Sequence, residues 1–288
     1  MKRLLTFIYL LSISSTILAS ELVPVVWPFA LGNNQSNIVR TLIDNANKNQ
    51  NKYQFIFVSK QGAGGAIAAN TVLAGKTMIF ANSSSFYLTP LFNKDAYDVD
   101  QFNILSRMCV DRPLVLFSKS FTKLEPNKEL TVSMTPATIQ ALVPRVISQK
   151  NSSFKYLEVP FKSGPDGTLA MLSGVVDASV DWLGAYSSVV APGNGVNVVG
   201  ITGNRRINNL PLLPGTEALV GDVFLFIPVI VDGKIHRELY DIFNDAQNET
   251  SDMLCKNDFG RPIKTDLVSF ERIHNDNKVK WKKFISPN

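Results

Sequence analysis

A strand–loop–helix unit at residues 23–43 constrains the fold of this chain more than any other feature. An apolar run ends at Trp27, a loop follows, and apolar residues then recur at the spacing of one helical face. We therefore expect a helix that begins near Ser36. A helix N-terminus carries unpaired N–H groups and partial positive charge, so this loop is a candidate carboxylate or phosphate site. The same residues would also serve as an ordinary cap of a buried helix.

The same pattern returns at residues 131–147. A short strand ends at Met134, a loop follows, and Ile139 opens a second run of apolar residues at helical spacing. Thr135 is a favourable N-cap and Pro136 a favourable first helical residue. The pattern predicts a second helix N-terminus that is available to an anion.

Polar side chains follow other predicted strands. A buried strand at residues 53–58 completes a βαβ unit, and the strand at residues 77–81 leads into Asn82, Ser83, Ser84 and Ser85. Open α/β sheets place ligand contacts at the carboxyl ends of strands, although a capped turn explains these serines equally well. Asp181 also follows a strand, where it could pair with a ligand amine or serve as a structural aspartate.

A glycine-rich segment runs from Gly62 through Ala63 to Gly65, and its glycines allow a close approach to a ligand or to another chain segment. It does not fit the dinucleotide fingerprint G-x-G-x-x-G, because the third glycine would fall at Ile67 and no acidic residue lies at the usual distance.

The first 20 residues have the features of a secretory signal peptide: a basic start, a short apolar run and small residues at the exit. Without them the chain carries 27 basic and 24 acidic residues, a net charge of +3 that gives no reason to expect nucleic acid. The length of the remainder fits two lobes. We expect a soluble exported product, since no later stretch approaches the ~20 apolar residues of a membrane span.

Cysteine and histidine are scarce. Cys109 and Cys255 are the only cysteines and are compatible with either a disulfide or two separate thiols. His236 and His274 fall in late helical segments that we expect to face solvent, so zinc or triad chemistry has little support. We expect no cofactor and no metal. The enzyme alternative is an exported hydrolase that uses Ser83 to Ser85, or the carboxylates of Asp166 and Asp181.

The order and spacing of several motifs resemble those of the periplasmic solute receptors of tripartite tricarboxylate transporters, the Bug receptors. The matching segments span most of the chain after the signal: residues 27–40, 61–65, 75–79, 159–163, 172–177 and 202–217. Three loops depart from the family pattern. Asn33 to Ser36 replaces a glycine-rich loop with an aspartate, Ser133 to Thr138 lacks glycine, and Phe161-Lys162-Ser163 replaces Tyr-Lys-Gly. The resemblance therefore predicts the fold but not the ligand.

The resemblance implies an α/β, type II periplasmic-binding-protein fold. Two lobes with mixed, mainly parallel sheets would enclose a ligand cleft, with residues 21–118 and 225–288 in lobe 1 and residues 119–224 in lobe 2. It implies ligand contacts at Phe29, Ala30, Gly32, Asn33 and Asn34 in lobe 1, and at Thr135, Thr138, Phe161 and Ser163 in lobe 2. To these the residue patterns add Gly62, Ala63, Ser83, Ser84, Ser85 and Asp181 as candidate ligand contacts.

The resulting hypothesis is a monomeric, non-enzymatic periplasmic receptor. It would close on a small di- or tricarboxylate, or a related organic acid, and deliver it to membrane permease subunits. The alternative outside transport is an exported accessory or sensory protein that keeps the fold and signals to a partner.

Overall fold

The computed structural model describes residues 20–31, 34–124, 128–257, 259–264 and 266–285. The predicted signal peptide lies almost wholly outside these residues, as do Gly32, Asn33 and the side chain of Asn34. The strands are β1 (Glu21–Trp27), β2 (Tyr53–Ser59), β3 (Met78–Asn82), β4 (Phe102–Arg107), β5 (Cys109–Val110), β6 (Arg112–Ser118), β7 (Glu129–Met134), β8 (Lys155–Pro160), β9 (Ala178–Trp182), β10 (Asn197–Ile201), β11 (Val220–Gly221), β12 (Val223–Pro228) and β13 (Arg261–Pro262). The helices are α1 (Asn34–Lys48), α2 (Ala66–Gly75), α3 (Ser83–Phe92), α4 (Ile139–Lys150), α5 (Gly164–Leu172), α6 (Tyr186–Val189), α7 (Gly233–Asn257) and α8 (Phe270–Lys282).

Both strand–loop–helix units form. The expected cap of the second helix is wrong: α4 begins at Ile139 with Thr138 as its N-cap, so Thr135 and Pro136 lie in the preceding loop. α1 buries Ile38, Val39, Leu42 and Ile43 against the core, and α4 buries its own apolar face. Both helices follow strands that pair in parallel with a neighbour, β1 with β2 and β7 with β8. Each unit therefore delivers a helix N-terminus to the carboxyl edge of a sheet.

Two mixed sheets organise the chain. The first has the order β2-β1-β3-β12-β4, and the second has the order β10-β6-β9-β7-β8 with β11 beside β6. The first contains two parallel and two antiparallel pairs, and the second contains two parallel and three antiparallel pairs. The sheets are thus mixed as predicted, but parallel pairs do not predominate. The strands that return between the lobes, β6 and β12, run antiparallel to their neighbours.

The predicted lobe boundaries do not coincide with the limits of the two sheets at these two strands. A boundary at residue 118 leaves β6 in lobe 1, but β6 pairs with β9 and β10 in the second sheet. A boundary at residue 224 cuts β12, which lies whole between β3 and β4 in the first sheet. The chain crosses to the second sheet just before Arg112 and returns just after Asp222.

A disulfide joins Cys109 to Cys255 and settles the alternative that the sequence leaves open. The two residues are 146 apart in sequence, and their Cα atoms lie 5.5 Å apart. The bond ties β5, beside the crossing to the second sheet, to the last turn of α7. Within the described part of the chain, no helix has the length and apolar character needed to cross a membrane.

Candidate functional site

A cavity of about 770 Å³ lies between the carboxyl edges of the two sheets. From the first sheet and its helices it is lined by Phe29, Gln35, Asn37, Asn82 and Ser85. From the second it is lined by Thr135, Thr138, Gln140, Ser163, Gly164, Pro165, Thr168, Leu169, Leu172, Asp181, Trp182, Gly184, Ala185, Ser187, Ser188 and Val189. Its walls are therefore rich in amides and hydroxyls. Among the described lining residues there is no lysine, arginine or histidine.

The loop before α4 supplies one wall. Thr138 is the N-cap of α4, but its side chain makes no capping hydrogen bond; its Oγ1 donates to the Thr135 carbonyl at 2.6 Å. Thr135 is 6% exposed, and its Oγ1 has no hydrogen-bond partner among the described residues. Ala137 between them has a φ of +58°, a conformation that costs a residue with a Cβ roughly 1 kcal/mol or more. This wall holds an unsatisfied hydroxyl and an uncapped helix end.

The N-terminus of α5 supplies the neighbouring wall and is already occupied. The Ser163 hydroxyl accepts from the Asp166 N–H at 3.3 Å, and the Asp181 carboxylate accepts from the Trp182 N–H at 2.8 Å and from Thr168 Oγ1 at 3.2 Å. A Cβ at Gly164, the first residue of α5, would lie 2.5 Å from Asp181 Oδ1. The Asp181 carboxylate therefore sits against the first turn of α5, where the helix dipole favours a negative charge.

A buried cation lies behind the lining. Arg112 is fully buried at the start of β6; its Nη1 donates to Asn82 Oδ1 at 2.6 Å, and its Cζ lies 4.2 Å from the Trp182 ring centroid. Asn82 Nδ2 in turn donates to Gln35 Oε1 at 3.3 Å. Arg112 thus contacts one lining residue from each sheet.

Six of the candidate ligand contacts come together in this cavity: Phe29, Ser85, Thr135, Thr138, Ser163 and Asp181. Ala30, Gly62, Ala63, Ser83, Ser84 and Phe161 do not line it. Gly32, Asn33 and the side chain of Asn34 lie outside the described part of the chain.

Two of the candidates that miss the cavity, and the glycine-rich segment that holds two more, have structural contacts elsewhere. Ser83 exchanges hydrogen bonds with Asp222, through its own N–H at 2.8 Å and through its Oγ at 3.2 Å, which fixes the return from the second sheet. Phe161 packs against the core of the second sheet. The glycine-rich segment meets another chain segment: Thr89 donates to the Gly64 carbonyl, and a Cβ at Gly64 would lie 3.3 Å from that of Ala137.

The sequence patterns do not select Gln35, Trp182 or Arg112, and they place Asn82 at a strand end without selecting it as a contact. Trp182 ends β9 directly after Asp181, so its position at the strand end is the signal that could have found it. Arg112 carries no local signal, because its contact with both sheets depends on how β6 pairs.

The histidines do not reach the cavity. His274 is not on the surface as expected: its side chain is 13% exposed, Nδ1 bonds the Tyr87 hydroxyl at 2.8 Å, and Nε2 bonds Asp100 at 3.0 Å. Burial lowers the pKa of His236, also away from the cavity. Neither imidazole is placed to activate a serine in the cavity. No group of three or more potential metal ligands occurs among the described residues.

Solved structures with the same architecture identify the fold. Rpa4515 of R. palustris with adipate shares 18% identity over 92% of this chain and 96% of its own, with a TM-score of 0.77. MatC (Rpa3494) from Rhodopseudomonas palustris with bound malate shares 20% over 92% and 99%, with a TM-score of 0.74. The periplasmic binding protein BugD shares 16% over 92% and 95%, with a TM-score of 0.73. The chain has the two-lobe fold of periplasmic binding proteins. No family model and no curated protein matches the sequence.

Proposed function

We propose that this protein is an exported, non-enzymatic solute receptor that holds a small carboxylated metabolite between its two lobes. One observation carries the proposal: a single cavity lined from both sheets, in which polar groups of the protein converge. A volume of about 770 Å³ is within the range of small-ligand sites. Each lobe offers only part of the lining, so binding would favour the closed arrangement of the two.

The donor groups of the cavity favour a carboxylate. α3 and α4 begin at its wall, and the first N–H groups of a helix have no intrahelical acceptor. Thr135 adds a buried hydroxyl without a partner. Neutral donors can bind a carboxylate without a lysine or arginine in the lining, because hydrogen bonds to a charged group are stronger than neutral ones. The neighbours that hold malate and adipate support an organic acid as the ligand class.

Titration calorimetry and thermal unfolding test the proposal. The chain without residues 1–20 is measured against malate, adipate, succinate, citrate, aspartate and glutamate. We expect at least one acid to bind and to raise the melting temperature, since a ligand at 100 times its Kd stabilises the fold by about 2.7 kcal/mol. Absence of both effects across the panel would refute the proposal.

A variant that blocks the cavity locates the site. Ser187 is exposed at the edge of the cavity, so Ser187→Trp should obstruct entry without disturbing the core. Ser152→Trp is the matched control, because Ser152 is exposed and does not line the cavity. We expect Ser187→Trp to abolish binding and Ser152→Trp to bind like the parent chain. Equal affinities would place the ligand elsewhere.

We further propose delivery to the permease subunits of a tripartite tricarboxylate transporter. Genes for a large and a small membrane subunit beside the gene for this chain, and loss of uptake of the bound acid when the chain is deleted, are the expected results. Uptake that persists without the chain would favour the accessory or sensory alternative.

A further inference from the structure

We propose that Arg112 is a positioning residue that turns the side-chain amides of Asn82 and Gln35 so that they present N–H groups to the cavity. This inference rests on the proposed function, because it concerns the ligand class that the cavity selects. It identifies the cavity wall on the first sheet as a hydrogen-bond donor surface that accepts carboxylates and rejects ligands offering only donors.

Arg112 is held in place by partners from both sheets. A buried charge is costly unless it is well paired, so a fully buried guanidinium requires fixed partners. Here these partners include the Asn82 amide from the first sheet and the Trp182 ring from the second. Arg112 is therefore held on the boundary between the two sheets, one layer behind residues that line the cavity.

The hydrogen bonds from Arg112 through Asn82 to Gln35 run in one direction. A guanidinium can only donate, so the atom of Asn82 that meets Arg112 Nη1 at 2.6 Å must be its oxygen. The amide nitrogen of Asn82 then points the other way and donates to Gln35 Oε1 at 3.3 Å. The Gln35 oxygen is therefore occupied. Gln35 Nε2 is the last donor in the hydrogen-bond series Arg112–Asn82–Gln35, and it has no partner among the described residues.

The direction of these hydrogen bonds determines which groups the cavity wall offers to a ligand. An amide that is free to rotate offers either an oxygen or an NH₂ group, and so does not discriminate between acceptors and donors. The fixed direction from Arg112 through Asn82 to Gln35 removes that choice. Each bond also polarises the next, so the positive charge of Arg112 strengthens the terminal donors. Gln35 lies in the first turn of α1, where the helix dipole adds to the same polarity.

Gln35→Glu tests the donor surface. It keeps the size of the side chain, removes the terminal N–H groups and suits the first turn of a helix, so the variant should fold. We expect its Kd for malate and adipate to rise at least about tenfold, because a carboxylate would face the carboxylate ligand. Gln101→Glu is the matched control: an exposed glutamine outside the cavity that carries the same charge change.

Arg112 itself is tested without any ligand. In Arg112→Met the Asn82 amide loses the donor that sets its direction, so the side-chain ¹H–¹⁵N resonances of Asn82 and Gln35 should move or broaden, whereas Gln101→Glu should leave them unchanged. Arg112→Lys retains one charged donor and should restore part of the parent spectrum. In binding experiments, Arg112→Met should reduce the preference for adipate over its neutral diamide. A loss of structure alone would instead weaken the binding of both ligands equally.

Unchanged amide resonances in Arg112→Met, or parent-like affinity in Gln35→Glu, would overturn the inference. If the parent chain binds no acid of the panel, the proposed function fails, and the amide spectra alone then decide whether Arg112 sets the direction of the two amides.

Discussion

The N-termini of α4 and α5 both lie at the cavity wall, but they differ in what already satisfies them. At α5 the Ser163 hydroxyl accepts a first-turn N–H, and the Asp181 carboxylate lies against Gly164. At α4 the Thr138 side chain makes no capping bond, and the hydroxyl of Thr135 has no partner among the described residues. The two helix ends in one cavity thus differ: the first turn of α5 is satisfied by the protein, whereas the α4 end has no side-chain cap and lies beside an unpaired hydroxyl, which is where the proposed ligand would bind.

The difference assigns Asp181 to the scaffold. Both of its oxygens accept hydrogen bonds within the second sheet and α5, so Asp181 lines the cavity while its carboxylate holds the wall together. Of the two interpretations that the sequence leaves open, a ligand-amine contact and a structural aspartate, the geometry favours the second.

The largest expected effect comes from Asp181→Ala. It removes the carboxylate that accepts from the Trp182 N–H and leaves the Thr168 hydroxyl with Ser179 Oγ as its remaining partner. A buried group left unsatisfied costs about 1–3 kcal/mol. We expect a loss of about 3 kcal/mol in the free energy of unfolding, measured by urea denaturation. Asp245→Ala on the exposed side of α7 is the control and should change stability by less than about 0.5 kcal/mol. A stable Asp181→Ala chain would contradict the scaffold role.

Thr135→Val tests the open end. Valine has nearly the same shape as threonine but no hydroxyl, so the variant loses one hydrogen bond to the ligand and removes a buried group that is unpaired without it. We expect about tenfold weaker binding by calorimetry with no loss of thermal stability. Thr71→Val, on an exposed face of α2, is the matched control. A fall in thermal stability without a fall in affinity would show that the Thr135 hydroxyl supports the fold and not the ligand, as Ser163 does at α5.

Ser163→Ala tests the occupied end. Removing an N-cap side chain costs about 1 kcal/mol of stability. The variant should therefore lose more in the free energy of unfolding than in the free energy of binding, the reverse of Thr135→Val. Equal losses in both variants would mean that the two helix ends do not divide their roles.

The smallest effect concerns an acid remote from the cavity. Burial acts to raise the pKa of Asp177, but hydrogen bonds from the Thr131 N–H and hydroxyl, together with Lys128, outweigh it and lower the pKa. A lowered folded-state pKa stabilises the fold above the ordinary value near 3.8, and this contribution is lost as the pH falls through the folded-state pKa. We expect Asp177→Asn to unfold with a shallower dependence on acid pH than the parent chain, with or without ligand. An identical pH profile would show that these contacts contribute nothing.

The sequence predicts the local parts of this molecule well. Apolar periodicity places α1 and α4, and polar residues at strand ends predict three residues that line the cavity, Ser85, Thr135 and Asp181. Both signals depend only on neighbours in the chain. That these residues contact a ligand stays a prediction. What it misses depends on pairing between distant segments. No local pattern assigns β6 to the second sheet, and without that pairing neither Arg112 nor its contact with Asn82 can be foreseen. Gly64 shows the same limit. A glycine permits close packing, but the sequence does not indicate that the segments packed against it are those of Thr89 and Ala137.

The place of β12 bears on how the chain folds. This strand lies between β3 and β4, yet it is made only after the entire second sheet. A growing or translocating chain that ends before Val223 therefore leaves β3 and β4 without the strand that joins them. The second sheet is formed from one continuous stretch and can assemble early, whereas the first has high contact order and must wait for the last quarter of the chain. We expect slow, late closure of the first sheet, because β12 joins it only after the whole second sheet has been made.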